Sequence, residues 1–501
     1  MERLPNATPV TVSDFSSYII EKMTIRSKVL LALRWSAGLK ALSQVATWAM
    51  TLIVVRLLDP ADYGLMAMAS IVIAFLMMVN ELGIGPALVQ RPSVDHSDFR
   101  VAFGIAILSN CALLACLWIA AYPIAIFFDE PGLVPIIRLM SVQFVLIPFA
   151  VIPEARLLRA LDLKRKSLVD LTANVAGGLT SLSLAASGHG VWSLVWGSLV
   201  IMTLRTTGLI IAAPYFVTPH FSIAKARELL SFGALITADR LLWFLYSRVD
   251  VIIVGKILGT ELLGIYSVAM QIASLPLQKV NSILNEVAFP AFSTIQNDIA
   301  LIKQYLGKAV RVISFLAFPV FFGLSSISPP FVRVVLGDQW EQSIIPLSFL
   351  ACIMPLRMAS NIMTSTLQGI GRVGVSVGNL LYACALMPIA ILIGSQWGLV
   401  GACLAWLVAF PVVTVIEIVR SAPYIKLHLL DFGKLFYLPL VGSCIMWASV
   451  RLITSAFGPQ KESLLALALM IIVGALVYFL FTALFNRRTL AETLALRSLD
   501  S

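Results

Sequence analysis

Charge is what this chain is short of: Asp, Glu, Lys and Arg make up 12% of its 501 residues, about half the share found in soluble globular domains. With hydrophobic residues at 59%, that scarcity excludes a soluble fold. Histidine is nearly missing as well. The four present, His96, His189, His220 and His428, are scattered among the connecting segments with no nucleophile or metal partner at motif spacing, which argues against an active site or a metal centre. The six cysteines, Cys111, Cys116, Cys352, Cys384, Cys403 and Cys444, sit in apolar stretches without metal-ligand spacing and read as packing residues. A phosphate-cradling glycine loop is absent, which argues against ATP hydrolysis by this chain. Long polar connections are lacking too. The longest expected on the outer side runs from about Ser326 to Ser343, which leaves no room for an extracytoplasmic domain.

What the chain does have is apolar runs of roughly 20 residues along its whole length, the length of a membrane-spanning helix rather than of a barrel strand. The expected fold is all-α and polytopic, with fourteen spans. Residues 1–29 form a polar tail with no small-residue cleavage pattern, expected to be cytoplasmic. A first six-helix bundle covers 30–213, a second covers 229–419, two added helices occupy 434–486, and 487–501 form a second cytoplasmic tail. The 36 Lys+Arg exceed the 26 Asp+Glu. Positive-inside loops account for that excess without a nucleic-acid partner. The densest basic cluster, Arg156, Arg159, Lys164, Arg165 and Lys166, sets both termini on the cytoplasmic side.

The two bundles read as a duplication. Val54, Arg56, Leu58 and Gly64 correspond to Val254, Lys256, Leu258 and Gly264; Pro86-Ala87 to Pro290-Ala291; Pro148 to Pro355; and Gly190 to Gly398. The offset grows slowly, as insertions would make it, whereas chance matches scatter. Six spans is an even number, so both halves enter from one side, as parallel repeats with a cavity expected between them.

Charges inside the spans mark candidate functional residues, because each costs about 2.5–3.5 kcal/mol at mid-depth on insertion scales. Asp239, Arg240, Arg248 and Asp250 interrupt the seventh span. At about 100° per residue, Lys40 and Gln44 share a polar face of the first span with Ser36, Ser43 and Thr47. Ser274 and Gln278 belong to a stripe of the eighth span, with Lys279 and Glu286 beside it, and Arg357, Asn361, Thr364 and Gln368 align on the tenth. Neutral members of such stripes serve equally as contacts between helices. Arg34, Arg138, Arg205, Lys256 and Glu417 lie closer to expected span ends and read as snorkelling to the headgroups. Asp239 and Asp250 either neutralise Arg240 and Arg248 or take up an ion. Trp192, Trp340 and Trp397 read as interfacial anchors.

The stretches RLLDPADYGLMAMA (56–69), ELGIGPALVQR (81–91), DVIIVGKILGTELLGIYSVA (250–269) and LQGIGR (367–372) resemble the Wzx-type polysaccharide transporters of the multidrug/oligosaccharidyl-lipid/polysaccharide exporter superfamily, in the exopolysaccharide or colanic-acid exporter subgroup. The resemblance implies a bacterial inner-membrane flippase, not an enzyme. Its substrate would be an undecaprenyl-diphosphate-linked oligosaccharide, moved from the cytoplasmic to the outer leaflet by alternating access. It implies no cofactor beyond H⁺ or Na⁺ coupling, and as partners membrane lipids and a polysaccharide polymerase with its co-polymerase. Lys40, Gln44, Arg240, Arg248, Lys279, Arg357, Asn361 and Gln368 are the candidate substrate contacts, and Asp239 and Asp250 the candidate ion-coupling groups. A drug/cation antiporter of the same superfamily is the nearest rival, although lumenal arginines repel cations. A membrane polymerase or glycosyltransferase would carry large outer loops or acidic catalytic motifs, and the sequence has neither.

Overall fold

An apolar segment in lipid has no water to satisfy its peptide groups, so it must close each N–H on its own carbonyls. The structure, a computed structural model, describes residues 35, 38–80, 88, 95–221, 223–457, 463–487, 489 and 490, apart from the side chains of 223–241, 279–287, 289 and 290. Among the described residues there is no strand, and thirteen helical segments are long and apolar enough to cross a membrane. In chain order the helices are α1 (Gly38–Leu57), α2 (Pro60–Asn80), α3 (His96–Phe128), α4 (Leu133–Ser141), α5 (Gln143–Arg159), α6 (Leu163–Ala186), α7 (Val191–Ala212), α8 (Ile223–Thr294), α9 (Ile299–Ser326), α10 (Ile344–Gly369), α11 (Val373–Ser395), α12 (Gly398–Ile425), α13 (Leu429–Phe457) and α14 (Leu464–Phe485). Side-chain caps close several starts: Asp162 accepts from the Arg165 amide, Asp298 from Leu301 and Ser463 from Ala466, each satisfying one of the orphan donors of a first turn.

The 72-residue α8 is not one rod. Gly259 has φ 81° and ψ −176°, a conformation open to glycine and strained for other residues. The Tyr266 hydroxyl lies 2.7 Å from Asp250 Oδ2, whereas sixteen residues of continuous helix would separate them by about 24 Å. The chain therefore reverses at Gly259, and α8 is two antiparallel arms. With α4 and α5 forming one pass, the described residues make fourteen passes.

By Cα proximity the chain forms two compact units. The first holds 1–51, 80–118 and 138–234. It holds an ionic cluster: Arg205 reaches Glu154 at 2.7 Å and Asp170 at 3.0 Å, and Lys166 bridges the same two carboxylates at 3.2 and 2.9 Å. Arg205 is thus not snorkelling. Its counter-ions sit on α5 and α6, where spacing along its own helix could not reveal them.

The second unit holds 52–79, 119–137 and 235–501, and its tightest seam lies where the duplicated turns meet. A Cβ added to Gly64 would overlap the carbonyl oxygen of Thr260, and one added to Gly264 would overlap that of Pro60. Pro60 and Thr260 are themselves equivalent in the repeat, as are Gly64 and Gly264. The contact is therefore reciprocal, in the way an isologous two-fold interface is. Around it Arg56 donates to Val334 O at 2.9 Å, Gln339 donates to Arg56 O at 2.6 Å, and Lys256 pairs with Asp129 at 2.6 Å. Thr260 also bonds Glu130. Trp340, expected as an interfacial anchor, is instead fully buried: its indole N–H donates to Val55 O at 2.8 Å, and its ring meets Tyr63 edge-on at 5.5 Å. The segment 328–343, which carries it, is wound into short helical turns rather than left as open loop.

Candidate functional site

The stripe on α10 opens onto a cavity of about 260 Å³ inside the second unit, into which Arg357, Asn361, Thr364 and Gln368 all face. The first arm of α8 adds Arg248 and Asp250, the second arm Ser274 and Gln278, α11 Asn379 and α12 Glu417. Two cations, two carboxylates and a set of neutral amides and hydroxyls thus share one cavity.

Arg357 is the central cation. Its guanidinium carbon lies 4.7 Å above the Trp406 ring, and Nη1 is 3.9 Å from the Met270 sulfur. Among the described residues no carboxylate is within ion-pairing distance of it. Arg248 is exposed on the cavity side of α8. The opposite charge is held apart: Glu417, 4% exposed, accepts from Ser360 Oγ at 2.5 Å and Thr364 Oγ1 at 3.4 Å. That placement corrects the snorkelling expectation. The expected span ended at 419, but α12 continues to Ile425, which puts Glu417 two turns inside the helix and against α10.

Asp250 is buried at 3% exposure. Its Oδ1 accepts from the Val251 amide at 2.9 Å and its Oδ2 from the Tyr266 hydroxyl at 2.7 Å. Tyr266 in turn accepts from Trp406 Nε1 at 2.8 Å. Asn379 is committed to α12, accepting from Arg420 Nε at 2.9 Å and donating to Ser421 at 3.3 Å.

The sequence-based candidates therefore divide. Arg248, Asp250, Arg357, Asn361 and Gln368 are brought together. Lys40, exposed, and Gln44, half-buried, belong to the other unit. The side chains of Asp239, Arg240 and Lys279 lie outside the described residues. Sequence reasoning missed Glu417, Ser360, Tyr266 and Trp406. One signal was available for Tyr266: around a reversal at residues 258–259, positions equidistant from it face one another, and 250 and 266 are such a pair.

Chemically, the enclosure can hold an anion on guanidinium donors in fork geometry, which suits phosphate oxygens. Hydroxyl and amide groups beside it can exchange hydrogen bonds with a polyol. Its carboxylates can hold protons or monovalent cations. Among the described residues no cluster of His, Cys, Asp and Glu could hold a metal ion.

Comparison with known proteins gives the family and the fold. The profile of a family described as "Polysaccharide biosynthesis protein" matches residues 53–345. The lipopolysaccharide biosynthesis protein WzxC of Escherichia coli is 27% identical over 436 residues, covering 85% of this chain and 88% of that protein. The succinoglycan biosynthesis transport protein ExoT of Rhizobium meliloti is 24% identical, covering 92% and 94%. Among solved structures, the lipid II flippase MurJ in an inward closed conformation superposes with a TM-score of 0.73 at 15% identity, over 90% of this chain and 98% of that one. An inward-facing multidrug transporter of the MATE family gives 0.57 at 16% identity, over 76% and 96%. At these identities the solved structures establish the fold alone.

Proposed function

The chain belongs to the polysaccharide biosynthesis protein family, and from that premise we propose that it is a flippase. It carries isoprenoid-diphosphate-linked oligosaccharides, undecaprenyl diphosphate being the lipid, from the cytoplasmic to the outer leaflet of a bacterial inner membrane. Both termini are cytoplasmic in this reading, and the glycan is delivered to a polymerase and its co-polymerase on the outer side. The observation that carries the proposal is Arg357, a cation inside the bundle that faces a polar cavity with no carboxylate against it among the described residues. A diphosphate with several sugars cannot cross hydrocarbon unaided, since each unsatisfied hydroxyl costs several kcal/mol there. The relatives WzxC and ExoT, named for lipopolysaccharide biosynthesis and succinoglycan transport, support the same substrate class.

Transport proceeds by alternating access between two six-helix halves, 30–213 and 229–419, with 434–486 alongside. The seam at Gly64, Gly264 and Trp340 lies at the end that the basic loops assign to the outside, so it forms the outer closure. Arg248, Asn361 and Gln368 are the further substrate contacts around Arg357 in this cavity, and Lys40, Gln44, Arg240 and Lys279 stay candidate contacts on the sequence alone. Asp239, Asp250 and Glu417 are the groups available for H⁺ or Na⁺ coupling.

Arg357→Ala should lower polysaccharide export in cells about tenfold or more, the loss of a charge-assisted bond of about 1.5–3 kcal/mol, at unchanged protein level in the membrane. Arg357→Lys should recover only part, because charge returns without the planar fork. Normal export by Arg357→Ala would overturn the proposal. The two cavity carboxylates are the observation that favours a second reading, a drug/cation antiporter. Loss of organic-cation efflux on Glu417→Gln, with polysaccharide export intact, would establish that reading instead.

A further inference from the structure

We propose that Trp406 and Tyr266 are positioning residues that hold Arg357 in its ligand-binding pose and balance its charge at a distance through Asp250. The proposal rests on the reading of Arg357 as the diphosphate contact. A guanidinium has five N–H donors and no acceptor. Had a carboxylate neutralised Arg357 directly, a fork pairing would occupy two of those donors and leave fewer for a ligand. The indole face holds the cation through its ring quadrupole and occupies none of those donors, of which only one Nη1 proton is directed elsewhere, to the weak acceptor sulfur of Met270. Trp406 is thus a support that does not compete with an anion.

The support is itself fixed from behind. The indole N–H can only donate, so the bond between Trp406 Nε1 and the Tyr266 oxygen at 2.8 Å makes Tyr266 the acceptor. The single hydroxyl proton of Tyr266 is then directed to Asp250 Oδ2, 2.7 Å away. All three side chains are buried, at 1%, 0% and 3% exposure, where bonds in series polarise one another. The chain runs from α12 through the second arm of α8 to the first. Each donation draws electron density toward the indole, which strengthens its hold on the cation at its face. Asp250 therefore serves as a counter-ion to Arg357 that never touches it. Arg357 stays charged inside the bundle and open to the ligand.

The test uses full-length protein in lipid nanodiscs with geranylgeranyl diphosphate as probe and the dissociation constant as readout. Wild-type protein should bind, and Arg357→Ala should weaken binding. Trp406→Leu should weaken it by about 10- to 30-fold, the factor corresponding to a desolvated cation–π contact. Trp406→Phe, which keeps a ring and removes the N–H, should show a smaller loss. It also keeps the test decisive if the leucine variant does not fold. Tyr266→Phe should weaken binding several-fold. The distinguishing result is non-additivity: in an Arg357→Ala background, neither Trp406→Leu nor Tyr266→Phe should weaken binding further, as groups acting through one residue require. Trp397→Leu, at an exposed tryptophan, should leave binding unchanged. If Arg357→Ala weakens binding but Trp406→Leu binds like wild type, or if the Trp406 effect persists undiminished without Arg357, the positioning role is overturned while the diphosphate reading stands. If wild-type protein binds no diphosphate, the transport reading falls and this proposal falls with it.

Discussion

Replacing Gly64 by alanine adds one methyl group at the seam between the duplicated turns, the proposed outer closure. The new Cβ would lie inside the contact distance of the Thr260 carbonyl oxygen, where two non-bonded heavy atoms need about 3.5 Å. The obstacle is backbone, so no rotamer change relieves it, and the two turns must separate. Overpacking typically costs about 1–3 kcal/mol. In this case the cost falls only on the state in which the duplicated turns touch. At about 1.4 kcal/mol per factor of ten, the externally closed state should lose roughly 5- to 150-fold in weight relative to the open one. Gly264→Ala should do the same against Pro60 O, because the contact is reciprocal, whereas Gly307→Ala meets no atom within 4 Å and serves as control. The assay places a cysteine at the cavity residue Ser360, in a background with the six native cysteines replaced, and measures labelling by a membrane-impermeant thiol reagent in spheroplasts. Faster labelling of Gly64→Ala and Gly264→Ala than of Gly307→Ala is expected, at equal protein level. Equal rates across the three would refute the assignment of this seam as the outer closure.

Two further outcomes follow from the charged groups. Arg205→Ala leaves the two carboxylates of Glu154 and Asp170 to the single charge of Lys166 and should lower the amount of folded protein in the membrane; adding Glu154→Gln or Asp170→Asn should restore it, and failure of that rescue would contradict a structural role for the cluster. For coupling, Asp250→Asn or Glu417→Gln should abolish the stimulation of transport by an imposed proton or sodium gradient in proteoliposomes. If both retain it, ion coupling through these two carboxylates is refuted; the membrane potential alone supplies about 4–5 kcal/mol per 100 mV for two uncompensated charges.

Residues whose role depends on their own helix were legible. The spacing of Arg357, Asn361, Thr364 and Gln368 put them on one face, and the structure turns that face to the cavity. The duplicated turns were visible as a repeat, and Gly64 and Gly264 as equivalents. That equivalents pack on each other is a property of three dimensions, which periodicity does not carry. Glu417 was misplaced because hydropathy underestimated α12 by six residues, and a short error in length moves a charge from the headgroups to the interior. Arg205 and Trp340 were misread for a different reason. A basic or indole side chain near a span end fits the interface equally well as an anchor or as half of a contact, and the partner that decides, Glu154 or Val55, lies far away in sequence.

The most direct test of the central claim uses purified protein in liposomes containing an isoprenyl-diphosphate oligosaccharide with a fluorophore on the glycan. Quenching from outside by dithionite measures the fraction of glycan in the outer leaflet over time. Wild-type protein should render nearly all of the label quenchable, Arg357→Ala should slow this about tenfold or more, and Arg357→Lys should fall between. Wild-type liposomes that quench no further than protein-free ones, or an Arg357→Ala variant as fast as wild type, would contradict the account.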